Sequence, residues 1–263
     1  MQTINSPQNT QIKKIKILKK SRERKAQGLI LVEGQRELGL ALEQGLEIIN
    51  LFFTPEFFNE GGKDLYKTLK NKQHNILSKE LFQSISYREN PDGVLAILKN
   101  KEQNIADFKF KKNPLILVLE SVEKPGNLGA IIRTADASGV DAIIVNDLKT
   151  DIYNPNIIRT SQGTVFTTTI FNLSQEETLE VLQKNKIKTY AAALQDSKNY
   201  LDYSYKNSSA FIFGDEALGL GKFWRKNADE IIKINMQGKI DSLNVSVSTA
   251  VLIFEAVRQR RLL

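Results

Sequence analysis

The chain has no cysteine and a single histidine, His74. The lack of cysteine excludes disulfides, thiolate chemistry and cysteine metal sites, and one histidine disfavours a zinc site or a Ser-His-Asp triad. No apolar run approaches the roughly 20 residues that a membrane helix needs. The opening residues, MQTINSPQNTQIKK, contain no apolar stretch of the kind found in signal peptides. The sequence therefore predicts a cytoplasmic protein with no metal site and no membrane segment.

Acidic residues are scarce in the first 112 residues relative to basic ones. The formal net charge is +7, and the first 112 residues carry 20 Lys+Arg against 13 Asp+Glu, whereas the remainder carries 17 of each. A basic N-terminal part suits binding to a polyanion such as nucleic acid, and a neutral C-terminal part suits a domain that carries out a reaction. The alternative is a lysine-rich surface that is merely solvated.

The densest basic cluster is residues 13–25 (KKIKILKKSRERK), with eight bases and one acid. Ile12, Ile15 and Leu18 recur at helical spacing and predict one basic amphipathic helix. Its basic side chains are suited to contact the phosphates of a nucleic acid. Such contacts give affinity and salt dependence but little specificity for the nucleotide sequence.

Strands and helices alternate along the whole chain and predict an α/β protein of two parts. We expect a small basic α/β domain at 1–105, a polar linker at 106–113 and a larger parallel-sheet domain at 114–263. The run LILVLE at 115–120 is typical of a strand buried on both faces. Further strands are expected at 142–145, 165–171, 189–194, 210–213 and 231–234. A closing helix is expected at 242–260, with Ser242 as its cap.

The first motif, NLGAIIRTA, opens a helix at the mouth of the strand 115–120. Asn127 lies where loops of parallel sheets build sites, and Arg133, six residues later, has a fork that can hold a phosphate or a carboxylate. The third glycine of a dinucleotide-binding fingerprint is missing. Alone, the motif equally describes a surface arginine on an ordinary helix.

Two further motifs follow later strands. In GDEALG, Gly214 permits close approach of a ligand to the strand end, and Glu216 is expected to point toward the same site. In SLNVS, Ser242 can cap a helix, whereas the amide of Asn244 would compete with the backbone of a first helical turn. Each motif alone also fits a solvated turn or a simple cap.

Together the three motifs resemble those of the SpoU (TrmH-type) branch of the SPOUT RNA methyltransferases. The chain contains N-x-G-x-x-x-R-T-A, G-x-E-x-x-G-L and I-x-M-x-G-x-x-x-S-L-N-V-S-V in the family's order and spacing. This resemblance covers residues 114–263. The earlier stretch VEGQRELGLALEQG resembles the ribosomal-protein-L30-like substrate-binding domain often found ahead of it.

The resemblance implies a deep trefoil knot in the C-terminal domain, with S-adenosyl-L-methionine bent in the knot and held largely by backbone. It implies a homodimer whose site is completed across two knots. The implied reaction is methyl transfer to a ribose 2′-hydroxyl of RNA, and the L30-like part favours rRNA over tRNA. No metal is required.

The family's functional positions fall on residues that this chain retains. Implied catalytic positions are Asn127, Arg133, Glu216, Ser242 and Asn244. Implied cofactor-binding positions are Gly214, Ile234, Leu243, Leu194, Met236 and Gly219.

Arg133 is expected to position the RNA phosphate and ribose and to stabilise the developing alkoxide, since a guanidinium holds its proton too tightly to act as a base. Glu216 and Asn127 would orient it. An apolar stripe on the closing helix is expected to pack on a dimer mate as well as on its own sheet. The stripe consists of Val247, Val251, Phe254 and Val257.

The chain departs from the family pattern at three positions: Glu120 stands where an aspartate is common, Lys124 where an acid is common, and Asn235 where a proline is usual. None of these removes a proposed catalytic group. Three alternatives stay open, namely a tRNA 2′-O-methyltransferase, an enzyme that methylates a base nitrogen, and a non-catalytic RNA-binding or ribosome-assembly protein.

Overall fold

A computed structural model describes residues 2–101, 103–122, 124–148, 150–215 and 218–261. The chain forms two compact units. The first comprises Met1–Glu102 with Asp151–Thr167, and the second comprises Gln103–Thr150 with Thr168–Leu263. Among the described residues, no helix combines the length and the apolar character needed to cross a bilayer.

The first unit is a five-stranded mixed sheet with helices. Its strands are β1 (Gln2–Ile4), β2 (Leu29–Glu33), β3 (Ile48–Phe53), β4 (Asn75–Leu77) and β5 (Val94–Lys99), in the order β1-β4-β3-β5-β2. Its helices are α1 (Thr10–Leu18), α2 (Ser21–Gln27), α3 (Gln35–Glu43), α4 (Glu60–Leu69), α5 (Lys79–Ile85) and α7 (Pro155–Thr160). Strand β5 runs antiparallel to both β2 and β3, and the other pairs are parallel.

The prediction of one basic helix at 13–25 is wrong, because α1 ends at Leu18 and α2 begins at Ser21. Lys20 has an extended backbone between them. The buried Arg24 donates from Nη1 to the carbonyl oxygens of Leu18 (2.7 Å) and Lys19 (2.9 Å), which satisfies the end of α1. One of the eight bases is therefore structural and is not available to a ligand.

The second unit contains a seven-stranded sheet in which all pairs are parallel. Its strands are β6 (Leu115–Glu120), β7 (Ala142–Asn146), β8 (Ile170–Asn172), β9 (Lys188–Ala192), β10 (Lys198–Asn199), β11 (Ser209–Phe213) and β12 (Glu230–Lys233). They follow the order β10-β12-β9-β11-β6-β7-β8. Its helices are α6 (Pro125–Ser138), α8 (Gln175–Lys184), α9 (Lys222–Asn227) and α10 (Val245–Arg261).

The apolar runs of the sequence become the centre of this sheet. Every residue of β6 and of β11 is buried, as expected for strands covered by helices on both faces. Because the strands are parallel, the loops that follow β6, β9, β11 and β12 all leave from the carboxyl ends of the strands, on the same side of the sheet. Ligand sites of parallel α/β sheets lie on that side.

Two predicted elements differ from the structure. Residues 165–171 do not form one strand, since β8 begins only at Ile170 and the residues before it are turns. Thr164 Oγ1 donates to the carbonyl of Ser161 (2.9 Å), and Thr167 Oγ1 to that of Thr164 (3.2 Å), so the hydroxyls stabilise successive turns. The closing helix begins at Val245 and not at Ser242.

The compact units also differ from the predicted boundaries 1–105, 106–113 and 114–263. The expected linker carries Phe108 and Phe110, which pack against the core of the second unit, so it is not a free connection. Residues 151–167, expected within the second domain, are instead part of the first unit.

Candidate active site

The loops that follow β9, β11 and β12 line one cavity of about 600 Å³ in the second unit. This volume lies within the usual range for ligand and cofactor pockets. All six residues implied to bind a cofactor line the cavity, namely Leu194, Gly214, Gly219, Ile234, Met236 and Leu243.

Gly214 lies directly after β11, where the chain folds back on itself. A Cβ atom at this position would overlap the carbonyl group of Gly219 and lie 2.5 Å from Leu220 Cα. Asp215 Oδ1 accepts from the Leu218 N–H (2.8 Å), and the Gly219 N–H donates to the Asp215 carbonyl (3.0 Å). Gly219 has a positive φ of 69°, which glycine adopts without strain. Backbone therefore forms this wall of the cavity.

The end of the same loop is held by a buried carboxyl group. Glu120, at the end of β6, is only 5% exposed and accepts from the Gly221 N–H at 2.6 Å and from the side-chain amide of Gln175. Burial raises the pKa of Glu120, and the hydrogen bond from Gly221 acts in the opposite direction. A Cβ at Gly221 would lie 2.6 Å from Glu120 Oε1, so a larger residue at 221 would require the Glu120 carboxyl group to shift.

Arg225, on α9, links two loops of the cavity. Its Nε donates to the Leu220 carbonyl at 3.0 Å, and its Nη1 donates to Gln195 Oε1 at 2.6 Å. Arg225, Leu220 and Gln195 all line the cavity. The guanidinium thus fixes the loop after β9 relative to the loop after β11.

Of the implied catalytic residues, the structure brings Asn127, Ser242 and Asn244 together. Asn244 Nδ2 donates to Asn127 Oδ1 at 3.2 Å, which joins the start of α6 to the start of α10. Ser242 and Asn244 line the cavity, and Asn127 lies beside it through this contact.

Asn244, and not Ser242, caps the closing helix. Its Oδ1 accepts from the Ser246 N–H at 2.9 Å and from the Ser246 hydroxyl at 2.7 Å. The prediction of Ser242 as the cap is therefore wrong. Ser242 lies in the loop ahead of the helix, with an exposed side chain.

The structure does not bring Arg133 into the same cavity. Its side chain lies on α6, is exposed and is not part of the cavity lining. Glu216 lies outside the described residues. The placement of Glu216 as an orienting group therefore stays a prediction.

Sequence reasoning missed Gln195 and Arg225, and treated Glu120 and Lys124 only as departures from a pattern. Lys124 also lines the cavity. The segment KFWRKN around Arg225 contains no motif, and its partner Gln195 is 30 residues away. Glu120 and Gly221 are 101 positions apart, so their contact likewise leaves no local signal in the sequence.

Comparison with known proteins identifies the family of both parts. Residues 114–254 match the model described as the SpoU rRNA Methylase family. The chain belongs to this family. Residues 9–96 match the model described as MRM3-like substrate binding domain. The predicted family, and the substrate-binding domain ahead of the methylase domain, are confirmed.

Relatives match over almost the full chain. A Bacillus subtilis (strain 168) protein named 23S rRNA (guanosine(2553)-2′-O)-methyltransferase RlmP is 28% identical over 97% of this chain and 98% of its own length. A crystal structure of an RNA 2′-O ribose methyltransferase is 34% identical, with a TM-score of 0.88, and the match covers 99% of this chain and 100% of that one. The AdoMet-bound rRNA methyltransferase from Sinorhizobium meliloti is 26% identical, with a TM-score of 0.87 and coverage of 98% and 97%.

These matches also confirm the predicted fold class. The SpoU-family unit is the α/β parallel sheet with the deep trefoil knot of the SPOUT methyltransferases.

Gly214→Ala tests the backbone wall. Because the added Cβ would overlap the backbone of Gly219, we expect the loop to shift and affinity for S-adenosyl-L-methionine to fall about tenfold or more, the cost of overpacking being about 1–3 kcal/mol. Titration calorimetry would measure it. Gly39→Ala, on α3 of the first unit, is the matched control, since nothing lies within 4 Å of a Cβ there. Unchanged affinity in Gly214→Ala would contradict the assignment.

Arg225→Met and Gln195→Leu test the link between the loops. Each change breaks the 2.6 Å hydrogen bond, so their effects on cofactor affinity should not add, with a coupling of about 0.5–3 kcal/mol in a double-mutant cycle. Lys226→Met, at an exposed neighbouring position on α9, should have no effect. Simple additivity of the two changes would argue against a shared role.

Proposed function

We propose that this chain is an S-adenosyl-L-methionine-dependent methyltransferase that methylates a ribose 2′-hydroxyl of ribosomal RNA. The observation that carries the proposal is the cavity behind Gly214, which gathers the six implied cofactor positions with Ser242 and Asn244, while the Asn127–Asn244 contact places Asn127 beside it. The relatives that match almost the full chain, which are named as RNA or rRNA methyltransferases, agree with it.

The cavity fits the cofactor by its chemistry. The cradle at Gly214 would be filled by any side chain, and Leu194, Ile234 and Leu243 supply apolar surface for an adenosine. When bound, the cofactor supplies a methyl group on a sulfonium that an aligned nucleophile can take. Backbone N–H and C=O groups of the three loops would hold it.

The polar side chains at the edge of the cavity would position the ribose of the RNA. The Asn127–Asn244 contact keeps two amides at the edge of the cavity, and Ser242 adds a hydroxyl beside them. These groups would orient the RNA and shape the cofactor loop. Arg133 would hold the adjacent phosphate and stabilise the alkoxide as the proton leaves.

The placement of Arg133 favours a dimer. Because its exposed side chain does not line the cavity of its own chain, it would serve the cavity of a second copy. On α10, Val247 and Phe254 are one heptad apart and each 46% exposed, which suits a contact with that copy. Val257, by contrast, is 8% exposed and packs in its own core, so it does not extend the stripe.

The first unit would bind the RNA backbone. Helix α1 buries Ile12, Ile15 and Leu18 fully, so its other side presents lysines to solvent, and α2 exposes Arg22 and Lys25 while Arg24 is buried. Contacts of this kind provide affinity that falls steeply with salt.

The deciding experiment is incubation with labelled S-adenosyl-L-methionine and RNA from a strain that lacks the protein, followed by nuclease digestion and mass analysis. A 2′-O-methylnucleoside in 23S rRNA is the expected product. A methylated base or a tRNA product would contradict the proposal, and absence of both transfer and cofactor binding would favour a non-catalytic RNA-binding role.

Arg133→Ala should lower methyl transfer about 100-fold or more, as expected for loss of one charge-stabilising group. Cofactor affinity should stay near that of the unaltered chain, because Arg133 does not line the cavity. Single-turnover transfer and calorimetry would separate the two effects. Lys184→Ala, at an exposed position on α8, is the control. Normal turnover would remove Arg133 from the site.

Phe254→Glu tests the dimer. A carboxylate in an apolar contact between copies carries a large desolvation cost, so sedimentation should detect monomers and methyl transfer should fall with dimer content. Lys226→Glu, on a different helix, should leave the mass unchanged. A fully active monomer would refute both the dimer and the use of Arg133 in a second copy.

A further inference from the structure

Residues 151–167 are an integral part of the first unit, although they follow β7 in the sequence. Asp151 forms a buried ion pair with Arg24, with Oδ2 at 2.6 Å from Nη2 and 2.8 Å from Nε. The two side chains are 7% and 2% exposed. Because Arg24 also caps α1, this ion pair fixes the α1–α2 junction against the start of the segment.

Apolar and backbone contacts hold the remainder of the segment. Ile157 and Ile158 of α7 are buried. Gly163, with a φ of 84°, comes so close to α3 that an added Cβ would lie 2.9 Å from Glu37 Cα. The segment is therefore positioned as firmly as a core element of the unit.

A narrow cleft is formed where α7 meets the loop after α5. Tyr87 and Arg159 line it from opposite segments of the chain, together with Pro155 and Arg88. Tyr87 is 36% exposed, and the Lys19 Nζ lies 4.6 Å from the centre of its ring. Lys19, Tyr87 and Arg159 thus form a continuous strip, which we call the cleft strip.

Contacts beside the strip fix Tyr87 and pair Arg88. The Tyr87 N–H donates to Glu33 Oε2 at 2.7 Å, and the Ser86 hydroxyl donates to Glu33 Oε1 at 2.5 Å; Glu33 also lines the cleft. Arg88 is engaged by Glu37 at 2.6 Å. Among the described residues, no ion pair engages Lys19 or Arg159: Arg159 is exposed, and Lys19 lies against the Tyr87 ring, near the charge of Glu33.

A partly exposed ring flanked by two cations matches the chemistry of an unpaired nucleotide. Bases that are not in a duplex stack on aromatic side chains, and their phosphates meet lysine and arginine. A double helix keeps its bases stacked and would use only the cations. The strip is therefore better suited to single-stranded RNA.

We propose that Lys19, Tyr87 and Arg159 form a contact site for an unpaired nucleotide of the RNA substrate, completed by a segment from the methylase part of the sequence. This site rests on the proposed function, in that the ligand is taken to be RNA. It gives the first unit a preference for single-stranded RNA beyond the charge of α1 and α2.

The test is fluorescence anisotropy of the full chain with a labelled single-stranded polyadenylate and an RNA duplex of the same length, over a range of salt concentrations. Tyr87→Leu should weaken single-strand binding about tenfold with an unchanged salt slope, since stacking is lost. Arg159→Gln should lower the slope by about 0.7, the value for one phosphate contact on a single strand. Duplex binding should respond to Arg159→Gln but not to Tyr87→Leu.

Two controls accompany these variants. Tyr87→Phe keeps the ring and should bind as the unaltered chain does. Lys67→Gln removes an exposed basic side chain that pairs with Asp64 on the same helix, α4, and it should have little effect. Thermal unfolding checks that each variant folds. Unaltered single-strand binding in both Tyr87→Leu and Arg159→Gln overturns the proposal, and so does an equal loss of duplex and single-strand binding in Tyr87→Leu.

Cofactor affinity and transfer to 23S rRNA keep the two proposals apart. If the unaltered chain binds single strands as expected but transfers no methyl group, the proposed function fails and the cleft strip stands. If transfer is normal in the unaltered chain and kcat/KM for RNA is unchanged in Tyr87→Leu and Arg159→Gln, the cleft strip fails and the proposed function stands.

Discussion

The cavity depends on the absence of a side chain at Gly214. There the backbone after β11 folds back until Gly219 and Leu220 occupy the volume that a Cβ would need. This close approach brings Leu220 within reach of Arg225, and Gly221 within reach of Glu120. The close approach at Gly214 thus positions the loop after β11 relative to the end of β6 and, through Arg225, relative to the loop after β9. The cavity wall at Gly214 is made of backbone groups. Such a wall favours a ligand recognised by shape and hydrogen bonds over one recognised by charge.

Local sequence patterns predicted the elements whose physics is local. The apolar run at 115–120 became the buried strand β6, and the strands expected at 142–145 and 210–213 became the buried strands β7 and β11. Patterns failed where side-chain hydrogen bonds replaced the expected ladder. The threonines near 165 have β-forming character, yet Thr164 and Thr167 bond backward to preceding carbonyls and stabilise turns. At the closing helix, the sequence indicated Ser242 as the cap, whereas Asn244 accepts the capping hydrogen bonds from Ser246.

The candidate site was predictable to the extent that its residues lie in motifs. Three coupled motifs located the cavity lining, including both strand-end loops. They could not locate Gln195, Arg225 or the role of Glu120, because each acts through a contact between segments far apart in sequence. They also implied that Arg133 belongs to the site without indicating which copy it serves. The exposed position of Arg133 on α6 is a property of the fold that no motif encodes.

The buried Arg24–Asp151 pair joins a segment of the methylase part of the sequence to the first unit, so the boundaries of the family match and of the compact unit differ. The family match runs without interruption through 114–254, yet residues 151–167 complete the unit that begins at the N-terminus. A buried ion pair contributes little net stability, but removal of one partner leaves an uncompensated charge that costs about 3–5 kcal/mol. The first unit therefore requires the segment to satisfy Arg24, and the segment requires the unit to bury Ile157 and Ile158. The chain consequently passes from the methylase unit into the substrate-binding unit and back, at residues 150–151 and 167–168. Arg159 therefore lies on a segment that is covalently continuous with β7 on one side and β8 on the other.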